Sequence, residues 1–534
     1  MSSNDVAIVN GAVWAMTGEK DVYEAIRWRD GQIVAIGTAE EVLRGEVPSK
    51  VIDAQGSTVL PGLIDAHAHL EMLGYSWGIA TDVRSSVVSS IEDIVSVLAE
   101  AAKTKPAGEW ILGQGEHYQN FRLREGRFPD AAELDRVSLD HPVVYRSSYH
   151  VNIFNNAGLR ALGLDENSPD APGGRLEHDP STGKLTGRTY DMWAAIGGPQ
   201  WPIDELSAAM IDAQRRYASA GVTTVGDIPL HSHGMEALTH MASTDTLLLR
   251  VAAYPAVPSV LAESELEEFA NRFISSDRLR LAGFKVFLDG GLTSSAAALY
   301  EDYPDMPGYR GELGHTPEGL ARIVQEVERL GMQIAIHAIG DRALDMAIDS
   351  IAQNSSQGDM RHRIEHAGNV FVTAERISRL KELGIVPVPQ ASFIRTSALG
   401  YEQHLGRARV GTLMPFRDLK DAGLKTPGNS DALGITWDQH NPFLGIQALV
   451  ERKASSGLDV EPEQALSLYE AIETYTVDSA YSLRWEDKIG TLEVGKLADV
   501  VLLDGKLEDL EKDQIGNATV ASTWIAGEQV FSRS

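Results

Sequence analysis

The sequence predicts an α/β protein: a (β/α)8 barrel beside a small β domain built by both termini, with one long inserted segment. Three observations predict it. The middle of the 534-residue chain alternates strand-like and helix-like stretches. Both ends read as short strands joined by glycine turns. Metal-competent side chains recur near the C-terminal ends of the strand-like stretches, where such barrels place their chemistry.

At the N-terminus, "DVAIVNGAVWAM" and "AIRWRDGQIVAIG" each put Gly near a hairpin turn, and Asp30-Gly31 is a strong hairpin signal. At the other end, "LADVVLLDG" and "ATVASTWIAGEQVFS" are β-like in the same manner. The termini are therefore expected to meet in one composite domain, 1–57 plus 487–534. The barrel is expected over 58–486. Its strands are read at "VLPGLIDAHAHL", 222–228, 247–257, 279–290, "MQIAIHAIG", "RHRIEHAG", "IVPVPQAS" and "LKTPGNSDALG". Between them lie helices such as "TPEGLARIVQEVERLG", with Thr316 as N-cap, Pro317 at the first helical position and Ile323, Val324, Val327 and Leu330 on one face. Residues 107–200 are too long for a barrel connection and are rich in Gly, Pro, Asp and Arg. They are read as an insertion after the first barrel helix, "IEDIVSVLAEAAKT", near the active-site entrance.

Composition narrows the function. No stretch of about 18 uncharged apolar residues occurs, so no membrane span is expected. The opening residues lack a basic region followed by an apolar one, which favours a cytoplasmic protein over a secreted one. There is no cysteine, so a metal must be held by His, Asp, Glu or a modified Lys. Acidic residues outnumber basic ones by 76 to 47, a net charge of -29 that opposes nucleic acid and anionic lipid. The expected partner is a small molecule.

The chemistry-bearing residues sit at strand ends. In "VLPGLIDAHAHL", Asp65, His67 and His69 point to one face. Two imidazoles side by side on a buried face are costly unless paired, and a cation is one way to pair them. Lys285 follows in "GFKVFLDGG", His337 in "IAIHAIGD", His366 in "RIEHAG" and Asp431 in "GNSDALG". Each has an ordinary reading: a hydrogen-bonded core histidine, a lysine paired with Asp289 on its own face, an aspartate capping a turn. Six such residues at the correct ends of their strands are better explained by one metal site. A second pair, His231 and His233 in "IPLHSHGM", is assigned to a pocket-lining loop. Candidate substrate contacts are Glu116, His117, Tyr118, Tyr149 and His150 from the insertion, with Ser294, Ser295 and Trp437 from barrel loops.

These motifs, with "DGGLTSSAAALYEDY", "SSYHVNIFNNAGL" and the closing "KIGTLEVGKLADVVLLD", resemble the amidohydrolase superfamily. More narrowly they resemble its YtcJ-like branch, amidohydrolase family 3, which includes N-substituted formamide deformylases. The resemblance implies a distorted TIM (β/α)8 barrel, a β-sandwich made by both termini, and metal-dependent hydrolysis of a C–N bond. It implies that His67, His69 and Asp431 bind a first divalent metal, zinc being expected for N/O ligands. His337 and His366 would bind a second, or orient substrate in a one-metal variant. Lys285 matches the lysine that becomes N-carboxylated and bridges two metals, a change that turns a donor-only ammonium into an oxygen ligand. Asp431 would act as general base and then acid on a metal-activated water. Asp65 and Glu365 are candidates to orient ligand imidazoles, or else to pair with Arg363 and backbone amides. A homodimer would suit the family. Cyclic amide or urea hydrolysis is the alternative. A deaminase is disfavoured because the position three after His337 is Gly340, not Glu. A non-catalytic binding relative should have lost ligands, and none is lost.

Overall fold

Asp30 and Gly31 both adopt positive φ, 50° and 86°, and join Ala25–Arg29 to Gln32–Gly37 in register Arg29 to Gln32. That is the mirror-image turn the Asp-Gly pair favours, because its twist matches the flanking strands. Ala526 and Gly527 do the same between Val520–Ile525 and Glu528–Ser532. The predicted Gly turn at Asn10-Gly11 is not a hairpin. Asp5–Val9 and Ala12–Trp14 enter different sheets. A Cβ on Gly11 would lie 3.2 Å from the Ala54 methyl, so this tight crossing favours glycine.

The computed structural model describes residues 5–117, 119–171, 174–196, 198–355 and 359–533. The first terminal sheet has four strands, ordered Gln32–Gly37, Ala25–Arg29, Asp5–Val9, Lys50–Asp53. The second has six, drawn from both ends of the chain: Glu528–Ser532, Val520–Ile525, Val500–Leu503, Thr58–Pro61, Ala12–Trp14 and Val22–Tyr23. Residues of both sheets share one apolar cluster that includes Ile8, Trp28, Val59, Val500 and Trp524. Trp28 and Trp524 meet edge to face at 5.5 Å.

Parallel strands occupy the middle of the chain. Leu63–Ala68, Val222–Asp227, Arg250–Ala253 and Leu279–Leu281 pair in that order. Ala256–Val257, Gly283–Phe287, Gln333–His337, Arg363–Glu365 and Val386–Val388 form the next sheet. The stretch 279–287, interrupted only at Ala282, contributes to both. Segment 428–432 then returns to the first strand: Ala66 N–H donates to Gly428 O at 3.0 Å, and Asp431 N–H to His67 O at 2.8 Å. Regular pairing lapses between 386–389 and 428–432, because Pro387 and Pro389 have no N–H to donate. Asn429 Nδ2 bridges that gap to Pro389 O at 2.8 Å.

Helix Pro317–Arg329 begins as expected, with Thr316 Oγ1 accepting from Gly319 N at 3.1 Å and Pro317 in its first turn. Its Leu320, Ile323, Val324 and Val327 are buried in a cluster with Phe284, Val286, Ile334 and Ile336. Burial of each such side chain contributes roughly 1.5–3 kcal/mol, which holds the helix on the strands that carry Lys285 and His337.

The segment read as an insertion shares a sheet with residues that precede it. Its six-stranded sheet runs from Arg175–His178 through Leu185–Tyr190, Val151–Phe154, Val143–Arg146 and Ile111–Gln114 to Thr81–Asp82. Helix Ile91–Ala102, read above as the first barrel helix, packs its Ile91, Ile94, Val95 and Leu98 against Ile111, Val143, Tyr145 and Ile153 of this sheet. The helix was legible, but its partner lies in residues the pattern could not order in space. Among the described residues no helix is long and apolar enough to cross a membrane.

Candidate metal centre and substrate cleft

Four buried imidazoles gather at the C-terminal ends of the parallel strands, and each has its Nδ1 occupied. His67 Nδ1 meets Glu365 Oε2 at 2.6 Å, and His69 Nδ1 meets Ile228 O at 2.9 Å. His337 Nδ1 meets Asp289 Oδ1 at 2.9 Å, and His366 Nδ1 meets Gln390 Oε1 at 2.7 Å. All four partners accept, so each Nδ1 carries a proton and each neutral ring keeps its lone pair on Nε2. The rings are neighbours: centroids lie 5.3 Å apart for His67 and His69, 5.6 Å for His67 and His366, and 4.4 Å for His337 and His366.

Asp431 completes a donor set. Its Oδ1 is 3.3 Å from His67 Nε2 and 3.3 Å from His69 Nε2, and one ligand atom from each of the three lies within 4.8 Å of the others. The residue sits at φ 48° in the turn after Ser430. Asp65, 2% exposed, fixes that turn: its carboxylate accepts from Ser430 N at 3.0 Å, His67 N at 3.2 Å, Tyr217 OH at 3.1 Å and the Ser430 hydroxyl. Of its two sequence readings, pairing with backbone amides is the one observed; it touches no imidazole among its partners. Glu365 does both things expected of it. It holds His67, and it binds Arg363 at 2.8 and 3.1 Å.

The electrostatics suit ligands rather than charged histidines. Burial holds His69, His337 and His366 below the usual imidazole range. For His67 burial pulls the same way, but the Glu365 and Asp431 carboxylates outweigh it and raise its proton affinity. Asp431 is buried, yet His67 and the other imidazoles hold it well below the carboxylate range.

Lys285 is 0% exposed, and its Nζ has no hydrogen-bond partner among the described residues. The ammonium sits 4.9 Å from the centroid of the Phe287 ring. Burial pulls it down to about 8 against the attraction of Glu365 and Asp431. The sequence pairing of Lys285 with Asp289 is not formed. Asp289 lies beyond the strand end, where it accepts from His337 Nδ1 and from the backbone N–H groups of Ala298, Ile339 and Gly340 at 2.9–3.2 Å. Burial still pushes its carboxyl up to about 7.

These residues fit a divalent cation. In the neutral state, two imidazole lone pairs and a carboxylate oxygen face one another at 3.3 Å with no proton between them, and a buried amine stands nearby without a partner. A cation supplies the missing charge for the first, and an N-carboxylated lysine could supply a further oxygen ligand.

The second histidine pair does not join this group. His231 occupies the N-cap position of helix Ser232–Ser243 without a side-chain capping bond, and His233 lies in its first turn rather than in a loop. His231 Nδ1 binds Glu71 Oε1 at 2.7 Å, and its Nε2 meets Tyr149 OH at 3.2 Å.

A cleft of about 1110 Å³ opens between the insertion and the loops after the parallel strands. His117, Asp191, Ser294, Ser295, Tyr309 and His404 are among its lining residues. Burial, and then the charge of His150, push His117 down to about 4. His150 binds Asp191 through Nδ1, and Ser294 Oγ donates to the other oxygen of Asp191 at 2.7 Å. Of the remaining candidates, Tyr149 is buried against His231. Glu116 turns away to Arg122, at 2.6 Å, and to Ser85. Trp437 is 40% exposed, stacked on Trp77 at 6.3 Å with the Arg84 guanidinium 4.6 Å from its ring. Neither Glu116 nor Trp437 lines the cleft. Tyr118 falls outside the described residues.

Sequence reasoning did not find Asp289, Gln390, Glu71 or Asp191 as partners of histidines. A signal existed for the first two, which lie at or just past strand ends as the metal candidates do. For Asp191 there was none.

Comparison with known proteins agrees with this geometry. Residues 50–531 match the model of the Amidohydrolase family. The chain is 28% identical to YtcJ of Bacillus subtilis (strain 168), over 98% of this chain and 99% of that one. It is 25% identical to the N-substituted formamide deformylase of Arthrobacter pascens, over 99% of both. Its structure is similar to that of an uncharacterized metal-dependent hydrolase from Pyrococcus horikoshii OT3, with a TM-score of 0.78 and 26% identity, covering 95% of this chain and 99% of that one. The chain belongs to the amidohydrolase family.

Proposed function

We propose that this chain is a metal-dependent hydrolase that cleaves a C–N bond of the amide, N-formyl or N-acyl type in a small molecule. One observation carries the reading: four buried imidazoles, each with Nδ1 held from outside, gather beside Asp431 and an unpartnered, fully buried Lys285. The parallel strand pairings and the return of 428–432 to 66–69 support a distorted (β/α)8 barrel, and the shared core of the terminal sheets supports a sandwich.

His67, His69 and Asp431 would hold one cation, with His337, His366 and a carboxylated Lys285 available for a second. A divalent cation, with zinc the first expectation, supplies Lewis acidity and lowers the pKa of water from 15.7 towards about 7. The chain supplies the proton path. Asp431 Oδ1 faces the two imidazoles, which leaves Oδ2 to take the proton as the water oxygen bonds to the carbonyl carbon. The same oxygen returns that proton to the nitrogen as the C–N bond breaks, giving a carboxylic acid and an amine. Glu365, Asp289 and Gln390 keep their rings from turning while charge develops.

Deamination is the weaker reading for a structural reason. A Cβ at Gly340 would lie 2.1 Å from Ala298 O, so no glutamate fits there. The deciding experiment is a screen of linear amides, formamides and cyclic ureas on protein of known metal content, with and without bicarbonate. Turnover of a linear amide or formamide supports the reading. Turnover of cyclic ureas alone moves the substrate class, and a metal-loaded protein inert to all of them overturns it. Asp431→Asn separates an enzyme, which loses turnover, from a binding protein, which has none to lose.

A further inference from the structure

The turn that carries Asp431 is held from both sides. On the near side Ser430 N–H donates to Asp65, and Asp431 N–H donates to His67 O. On the far side the carbonyls of three successive residues are taken by Ser76 and Arg84. Ser76 Oγ shares its hydrogen between Leu433 O and Gln114 Oε1, each at 2.9 Å. Arg84 Nη2 donates to Gly434 O, and Arg84 Nε donates to Ile435 O at 2.7 Å. Arg84 is 2% exposed, and Asp82 fixes its guanidinium: Nη1 donates to Asp82 Oδ1 at 2.8 Å, and the Arg84 N–H donates to the same oxygen at 3.1 Å. Asp82 lies on the edge strand of the insertion's sheet, in register with Gln114. Gly434 adopts φ 75°, and a Cβ there would lie 2.3 Å from Ser76 Cβ, so the close approach of these elements requires glycine.

Resting on the function proposed above, we propose that Arg84 is a positioning residue for Asp431: its grip on the Gly434 and Ile435 carbonyls holds the Asp431 carboxylate against the His67 and His69 imidazoles. A guanidinium suits the task, because its planar fork reaches two carbonyls and a carboxylate at once and stays charged; an ammonium is a point charge. Asp431 carries its side chain from a left-handed backbone, φ 48°, a conformation that a residue other than glycine keeps where its surroundings hold it there. A reacting group displaced by about 1 Å can lose roughly 10²-fold in rate, so a turn held from one side alone would cost turnover. The Trp437 ring lies 4.6 Å from the same guanidinium but takes none of the three carbonyls. The insertion's sheet thus acts on the reacting centre through one arginine that touches no substrate.

The test uses full-length protein and two readouts: zinc titration of metal-depleted protein, and turnover of the best amide by metal-loaded protein. Arg84→Met is expected to lower kcat by about 10–10²-fold with KM within about threefold. It should also weaken zinc binding by about tenfold. Arg84→Lys, which keeps the charge without the fork, should fall between Arg84→Met and wild type. In an Asp431→Ala background Arg84→Met should weaken zinc binding no further, because its effect runs through that carboxylate. A merely structural role would add its loss to that of Asp431→Ala. Trp437→Ala leaves the carbonyl hydrogen bonds in place and should keep kcat and zinc affinity within about twofold; a loss equal to that of Arg84→Met overturns the inference. If Arg84→Met does not fold, Arg84→Lys takes its place in the same cycle. A wild type inert to every amide overturns the proposed function, and the zinc cycle then decides this inference by itself. Variants of Arg84 with kcat and zinc affinity within about twofold of wild type, or with losses that add in the double variant, overturn the inference alone.

Discussion

Glu365 joins His67 to a buried arginine: Oε2 takes His67 Nδ1 at 2.6 Å while Oε1 takes Arg363 Nε at 2.8 Å. Arg363 and Glu365 are both 0% exposed, and Arg363 Nη1 has no hydrogen-bond partner among the described residues. Loss of the carboxylate therefore leaves a buried cation with no opposite charge, held only by Ala66 O at 2.8 Å and the Tyr254 ring. Glu365→Gln should destabilise the protein by about 3–5 kcal/mol, the range for breaking a buried pair. It should also weaken cation binding roughly 10–100-fold by freeing the His67 ring. Urea unfolding and a cation titration check the two effects separately.

Asp289 accepts four N–H groups, one from His337 and three from backbone. An asparagine of the same size would turn an NH2 toward donors. Asp289→Asn is expected to give up roughly 1.5–3 kcal/mol of hydrogen bonding to a carboxylate, offset in part by relief of the burial that pushes this carboxyl up to about 7. It should also loosen His337, seen as a fall in bound cation per chain. A variant with unchanged melting temperature and metal content contradicts this role.

Lys285 gives a pH signature in metal-free, bicarbonate-free protein. Its folded pKa lies near 8, below the ordinary value of 10.5. Between those values the unfolded chain binds more protons, so this group makes stability rise with pH; below about 8 its full penalty applies. A shift of that size corresponds to roughly 3 kcal/mol. Lys285→Met should thus stabilise the apo-protein at pH 7, and the gain should shrink as pH approaches 10. The same variant should take up less cation in bicarbonate. Parallel pH–stability curves for wild type and variant would rule the assignment out.

Trp437 was a sequence candidate for substrate binding, yet it lies outside the cleft beside Trp77, Arg84 and Arg216. Trp437→Ala should leave kcat/KM within about twofold. Each exposed cation–π interaction that the substitution removes should lower stability by about 0.5–1 kcal/mol. Steady-state kinetics and a melt suffice.

The metal candidates were legible because period-two alternation and the polarity of parallel strands send His67, His69, Lys285, His337, His366 and Asp431 toward one end of the sheets. Asp431 is the exception, held in a turn rather than on a strand. The groups that hold these side chains were harder to read. Asp289 and Gln390 stand just past strand ends, and their partners depend on how the following turn closes. Asp191 reaches His150 across a strand pairing inside the insertion, which local pattern does not encode. Glu116 and Trp437 were drawn away by nearby partners, Arg122 and the Trp77–Arg84 stack. Asn10-Gly11 looked like a hairpin, because the residues alone do not distinguish a turn within one sheet from a crossing between two.

The central claim is that the imidazoles and Asp431 hold a divalent cation on which turnover depends. Atomic absorption on purified protein, before and after chelation, measured alongside hydrolysis of the best amide, tests it most directly. Cation and activity should disappear together and return together when one divalent ion is added back, with His67→Ala failing to recover either. Full activity in a cation-free sample would contradict the account.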